Sequence, residues 1–550
     1  MRKNVKKQLA LRVLSTAALM AMVSSIATAA FAEEYDLNKG SVTVETKDNG
    51  NTYVTQANTE TTDHLDTTGV TITSNGEQTS NTITVNTAEN QTTNVTLENV
   101  HIESSSAWSS DPAPIEIKGN GNTNLELNGN NIVLSGNSEH AGIEKADKYG
   151  TGTLTIKDNV NNDGKLLAGG FDNSAGIGGG GTHDTARTSN ITITGGDITA
   201  VGGYYGAGVG SGNGGDASNI RIEGNAHVTA FADDGAAIGA GYGGSSDVTI
   251  TGHANVDAAG RCGAAIGLGN LGYQTTITIS GDATVNAEGV DGTGAIGSGR
   301  NSGSKVTVNI KDNANVTAIA DGVAIGNNSG WSSSSTTINI TGGTVDAVAH
   351  CFNSKPAIGA NSGSLNLTVN SSTGKTTINA YNSDDYSPIG TGYTNDITIP
   401  ASADYDETGT SQLGESNAAV INFYRKATLK TSDFNCPETL DPYATQIHKR
   451  YTLSDKGDLY KVVHNRKYME KHPEIVDDFN KLENSDLHDW QLKGEVVEPT
   501  LEKDGYADYV CRIDKCGQTK RVVLPKLTPE EMREVGVIFW DAAAQAAPAA

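Results

Sequence analysis

The stretch Val248-Thr249-Ile250-Thr251-Gly252-His253-Ala254-Asn255-Val256-Asp257-Ala258, closed a few residues later by Ala265-Ile266-Gly267, decides the fold. Val248 and Ile250 alternate with a polar residue, and so do Val256 and Ala258. That two-residue period is the mark of a strand with one buried face. Gly and Asn sit where the chain must turn. Working outward, the closing tripeptide Ala/Gly-Ile/Val-Gly recurs with its branched residue at Ile177, Val209, Ile238, Ile266, Ile296, Ile325 and Ile358, and as Pro-Ile-Gly at Ile389, at spacings of 32, 29, 28, 30, 29, 33 and 31. Each interval holds an alternating segment such as Ile191-Thr192-Ile193, Ile277-Thr278-Ile279 or Val306-Thr307-Val308, then a second such as Ile198-Thr199-Ala200 or Val285-Asn286-Ala287. Three short strands per unit of about 30 residues predict an all-β chain, a right-handed parallel β-helix in which one unit makes one coil. No helix-forming segment occurs in the unit, which excludes a leucine-rich repeat. A propeller blade would need about four strands and ~40 residues.

Upstream, Val95-Thr96-Leu97, Ile115-Glu116-Ile117, Leu125-Glu126-Leu127 and Leu154-Thr155-Ile156 continue the pattern less evenly. A solenoid over residues 33–400 implies roughly 12 coils and, at ~4.8 Å per coil, a length of about 55 Å. Composition shifts near residue 400, for the last 150 residues hold 7 of the 65 Gly but 19 of the 39 basic residues. The rest divides into a small α+β linker domain (401–482, with a short helix from Pro473 to Leu482), a Cys-pair β module (483–527) and a C-terminal helix or Ala/Pro tail (528–550).

The chain carries 39 Lys+Arg against 64 Asp+Glu, a net charge of −25. A surface this acidic repels phosphate backbones, so neither nucleic acid nor an anionic membrane is expected as partner. With 8 Phe, 4 Trp and 18 Tyr against 65 Gly, bulky side chains are too few to fill one large globular core. Residues 1–32 read as a signal peptide, with Arg2, Lys3, Lys6, Lys7 and Arg12 ahead of the apolar run Val13 to Ile26 and an Ala30-Phe31-Ala32 cleavage site. No later segment could span a bilayer, so the expected mature protein is secreted, or associated with the cell surface by other means.

Four groups of residues invite chemistry. On the second strand, the outward column Thr199, Thr229, Asp257, Asn286, Thr317, Asp346 never sets acids on adjacent coils. The corner before the third strand is denser, with Asp233, Asp234, Arg261, Asp291 and Asp321, and Asp234, Asp291 and Asp321 are candidate Ca²⁺ ligands. In the loop after the tripeptide, Tyr242, Tyr273, Arg300 and Trp331 fall on four successive coils and could form an aromatic row for an extended glycan. Of the five Cys, Cys262 and Cys351 lie three coils apart, too far for a disulfide. Cys511 and Cys516 are a disulfide candidate, and only His488 is an obvious third ligand if they were to hold zinc. Outward Thr on the first strand is interrupted by Arg221, Glu223 and Lys305, which spoils the regular array that ice binding would need.

The run Leu125 to Gly136, Ala141-Gly142-Ile143-Glu144, Ser174 to Gly181 and Ile191 to Ala200 resembles exported repeat proteins of Gram-positive bacteria, described as carbohydrate-binding-domain or adhesin-like β-helix proteins. One branch is similar to calcium-containing β-helix modules that bind plant polysaccharides. His488-Asp489-Trp490, Tyr509-Val510-Cys511 and Cys516-Gly517 resemble the Cys-pair modules of bacterial surface proteins, although four residues separate the cysteines here instead of two. The resemblance implies a non-enzymatic binding or adhesion protein whose partner is a polysaccharide or a host or cell-surface glycan. No catalytic residue and no cofactor beyond calcium is implied. The alternatives are a lyase-like or hydrolase β-helix enzyme acting on acidic glycans and a purely structural spacer.

Overall fold

The computed structural model describes residues 33–104, 112–160, 163–181, 184–303, 305–350, 355–369, 375–384, 388–392, 418–433, 449–456, 458–464, 490–497, 499–500, 502–511 and 519–526. The expected signal peptide (1–32), the helix expected at 473–482, Cys351, Cys516, His488 and the segment 528–550 lie outside these residues. Among the described residues no helix is long and apolar enough to cross a membrane.

Three parallel sheets wind around one interior as a right-handed β-solenoid. Sheet 1 takes the first strand of every coil, for example Ser246–Ile250 and Gln274–Ile279. Sheet 2 takes the second, such as Asn255–Gly260, and sheet 3 the short third, such as Ile266–Gly267. The sheets hold 12, 13 and 14 strands respectively. The regular turns begin at Ile143–Glu144, where sheet-3 strands shrink from four or five residues to two or three. About nine turns follow this plan, slightly fewer than the roughly 12 coils expected.

The tripeptide residues stack in register from Ile177 through Val209, Ile238, Ile266, Ile296, Ile325 and Ile358 to Ile389. All are buried, and with the inward Val, Ile, Leu and Ala of sheets 1 and 2 they form one continuous core. Each branched side chain so buried contributes about 1.5–3 kcal/mol. The Gly that follows has a separate reason. Gly267 takes φ +128°, and a Cβ there would sit 2.1 Å from the Gly297 carbonyl oxygen of the next coil. Only glycine lets the coils close to backbone hydrogen-bonding distance at this edge.

The outward column of sheet 2 runs Thr199, Thr229, Asp257, Asn286, Thr317, Asp346, Asn379, in register as expected. Residue 400 does not interrupt this sheet. Ala418–Arg425 adds in parallel to Lys375–Asn382, and Asp458–His464 then adds antiparallel. Tyr424 stacks on Tyr381 with 4.6 Å between ring centroids. Leu429 and Leu453, from a hairpin of Thr428–Asp433 and Lys449–Asp455, pack on the apolar cluster around them. At the other end, Val42–Thr46 pairs in parallel with Ile83–Thr87, and Thr52–Gln56 and His64–Asp66 continue sheet 3 antiparallel. Near the C-terminus, Trp490–Leu492, Gly505–Cys511 and Thr519–Leu524 form an antiparallel sheet of three strands. The partner of Cys511 in the disulfide expectation, Cys516, is outside the described residues.

Candidate functional site

Because each sheet-3 strand is so short, the corner that precedes it and the loop that follows it meet at one apex. The loop of each coil donates a backbone N–H to the corner of the coil before: Tyr242 to Tyr205 (2.8 Å), Asn270 to Asp234 (2.7 Å) and Arg300 to Cys262 (2.8 Å). The acidic corner and the aromatic loop, read separately from the sequence, are therefore two sides of one ridge.

The aromatic row expected from Tyr242, Tyr273, Arg300 and Trp331 does not form. Tyr242 and Arg300 share a column, but the residue between them is Asn270. Tyr273 lies further along the loop, where its N–H bonds Gly244 at the entry to sheet 1. Trp331 belongs to a turn that its carbonyl closes by accepting from Ser334. Counted from the tripeptide Ile, the four residues stand at offsets of four, seven, four and six, so loop-length differences break the register. Tyr273 and Trp331 are nonetheless exposed, at 60% and 49%.

The rings that do cluster are Tyr204, Tyr205 and Tyr242. Tyr204 meets Tyr205 edge to face at 4.6 Å, and Tyr205 meets Tyr242 at 5.2 Å. Tyr204 and Tyr205 were not anticipated. Their signal was a Tyr pair flanked by glycines, Gly202-Gly203-Tyr204-Tyr205-Gly206, in an aromatic-poor chain. Nearby Asp234 pushes the Tyr204 hydroxyl above its ordinary pKa, with burial adding to it. Burial does the same for Tyr205, helped by Asp234 and Asp172.

The expected calcium set is also rearranged. Asp234 and Asp291 are two coils apart, about 10 Å, and Asp321 is one coil further. Asp321 accepts from the Asp291 N–H (3.0 Å) and meets His350 Nδ1 (3.1 Å). Among the described residues, the acids that converge are Asp233 and Asp234, together with Cys262, their ligand atoms all within 4.8 Å of one another. Asp233 Oδ1 accepts from Arg261 Nε at 2.8 Å, and the same Nε is 3.9 Å from Asp291. Burial pushes the Asp233 carboxyl up to about 6 even against Arg261.

A second group of buried ionisable side chains lies on the outer face of sheet 3. Glu144 takes the place that Gly178 fills one coil later, and Glu116 lies one coil before. Glu144 Oε2 meets His140 Nδ1 at 2.8 Å, while its Oε1 is buried with no hydrogen-bond partner. Burial raises the Glu144 carboxyl, and the Lys145 ammonium, also buried, is lowered. The clue in the sequence was Ala141-Gly142-Ile143-Glu144, a tripeptide with Glu where Gly otherwise stands.

Fold and register define a parallel β-helix repeat protein. Three stretches, residues 191–213, 248–270 and 338–364, match the family described as Beta helix repeat. Each match begins on a sheet-1 strand. No curated protein and no solved structure matches the chain.

Proposed function

We propose that this chain is an exported binding protein that holds an extended carbohydrate along the solenoid apex. The observation that carries this is the Tyr204–Tyr205–Tyr242 cluster beside the carboxylates of Asp172 and Asp234. Tyr rings offer an apolar face for the C–H side of a sugar and a hydroxyl for its edge, and few convergent polar groups fix orientation. Arg300, exposed in the Tyr242 column, suits a uronate carboxylate through a bidentate pair. Successive coils ~4.8 Å apart approximate the length of one sugar unit, so a glycan can follow the ridge. Affinity then comes from several weak contacts acting together. On the same proposal residues 1–32 direct export, and the protein works as an adhesin-like module at or beyond a Gram-positive cell surface.

The experiment is pull-down of the mature chain by insoluble polysaccharides, neutral and acidic. Tyr204→Ala, Tyr205→Ala and Tyr242→Ala combined should abolish capture and leave the melting curve nearly unchanged. If that variant still binds and Tyr273→Ala with Trp331→Ala does not, the exposed rings carry binding and the apex does not.

Hydrolysis is the second reading, favoured by one fact: Asp233, with its raised pKa, has a second carboxylate within 4.8 Å. An acid and a base so placed fit glycosidic chemistry. Asp233 is only 4% exposed, which favours binding. Reducing-end release, or an unsaturated product, from the same polysaccharides would instead establish an enzyme.

A further inference from the structure

Asp233, Asp234 and Cys262 pose a problem that the glycan site does not absorb. All three are buried, at 4%, 7% and 8% exposure. Two carboxylates and a thiol converge there, and Arg261 Nε bonds Asp233 of the three and also lies 3.9 Å from Asp291. Asp233 gives Oδ1 to Arg261, and its Oδ2 is buried with no hydrogen-bond partner. Asn270, bonded through its N–H to the Asp234 carbonyl, carries a second buried oxygen, Oδ1, that no donor reaches. Buried acceptors without donors cost free energy unless a cation faces them.

We propose that Asp233, Asp234 and Cys262 bind one divalent transition-metal ion of the zinc type. Ligand atoms within 4.8 Å of one another need to close by little more than 1 Å to reach the ~3.5 Å separations that tetrahedral bonds of about 2.0–2.3 Å imply. A sulfur ligand selects against Ca²⁺ and Mg²⁺, which take oxygen alone, and in favour of Zn²⁺ or Co²⁺. Asn270 Oδ1 or water completes the set. The backbone already holds the ligands in place. Asp233 and Asp234 are adjacent, and Cys262 donates its N–H to the Asp233 carbonyl at 2.9 Å. On binding, Cys262–SH and M²⁺ give a metal thiolate and one H⁺, which leaves to solvent. The site shares Asp234 with the apex proposed to hold the glycan, but its test reads metal binding alone, so either reading can fail without the other.

The test is Co²⁺ titration of the chelator-treated mature chain under reducing conditions, followed by thiolate-to-cobalt charge-transfer absorption. One ion per chain is expected, with the band unchanged when Cys351, Cys436, Cys511 and Cys516 are all replaced by Ser. Cys262→Ser should remove the band, and Asp234→Asn should weaken binding at least tenfold, each with a near-parental melting curve. Zn²⁺ should displace Co²⁺, and millimolar Ca²⁺ should not. No charge-transfer band in the parent, or a band that survives Cys262→Ser, overturns the proposal.

Discussion

Tyr242 meets Tyr205 edge to face, 5.2 Å between centroids, although the two rings come from successive coils and from opposite ends of a sheet-3 strand. The Tyr242 N–H donates to the Tyr205 carbonyl, so main chain and side chain couple at one point. Residues in contact rarely contribute additively. Polysaccharide affinity lost in Tyr205→Ala with Tyr242→Ala should thus fall short of the sum of the single losses, whereas Tyr205→Ala with Trp331→Ala should be additive. Affinity electrophoresis in polysaccharide gels measures both pairs.

Ile266 lies in the middle of the inward ladder, between Ile238 and Ile296. Ile266→Asp places a carboxylate among apolar neighbours with nothing to pair it. Destabilisation of several kcal/mol, about 4 or more, is expected. Far-UV circular dichroism melts check this, and a parental melting curve would show that the side chain does not point inward.

Two glycines separate close approach from conformational cost. Gly267→Ala sets a methyl 2.1 Å from a carbonyl oxygen on the next coil, at φ +128°. Gly214, with φ +75°, has nothing within 4 Å of an added Cβ. Gly214→Ala should cost about 1–2 kcal/mol, the strain of left-handed backbone alone. Gly267→Ala should cost clearly more, because backbone on two coils must move. Denaturant midpoints rank the pair.

The His140–Glu144 pair should make stability fall as pH rises. Glu144 is raised by burial, so its contribution is complete below the unfolded carboxyl pKa of about 4.3 and is lost as pH climbs through the folded value. Burial lowers His140, but the hydrogen bond and charge of Glu144 outweigh it and leave its pKa raised. Its contribution is complete below about 6.5 and is lost at higher pH, in the same direction. Urea unfolding at about pH 5 and about pH 8 should show the loss in the parent and a smaller one in His140→Gln with Glu144→Gln.

Tyr424→Ala removes the ring stacked on Tyr381, an interaction of about 0.5–1.5 kcal/mol beyond the area it buries. The hairpin of Thr428–Asp433 and Lys449–Asp455 should then be cut faster by protease, while the solenoid keeps its melting temperature. Equal cutting rates in parent and variant would mean that Leu429 and Leu453 suffice to hold it.

The solenoid was legible because inward residues repeat with a period that only strands satisfy, and a Gly such as Gly267 marks the same edge in each coil from Ile177 to Ile389. Columns inside strands, such as Thr199 to Asp346, were legible for the same reason: hydrogen-bond register fixes them. Columns in loops were not. Tyr273 and Trp331 share with Tyr242 the loop after the tripeptide, yet their unequal offsets within it carry them to other points on the ridge. The junction at residue 400 was obscured by composition. A strand that ends in Phe423-Tyr424-Arg425 does not look like a coil, but Ala418–Arg425 needs only its backbone to extend sheet 2. The Asp233–Asp234–Cys262 convergence depends on stacking a Cys one coil above an Asp pair, and it emerges once the sheet-2 register is known.

The reversed strands at the two ends bear on how these molecules meet one another. A stack of parallel coils is a template that a second stack could continue, end upon end, into a fibre. At one end Thr52–Gln56 reverses in sheet 3, but His64–Asp66 reverses again and so runs in the solenoid direction. At the other end Asp458–His464 closes sheet 2 running against its neighbour. A coil stacked there would have to pair antiparallel in sheet 2 while pairing parallel with Ile389–Thr391 in sheet 3, and no single orientation does both. The direction of that one terminal strand thus works against end-on continuation at that end.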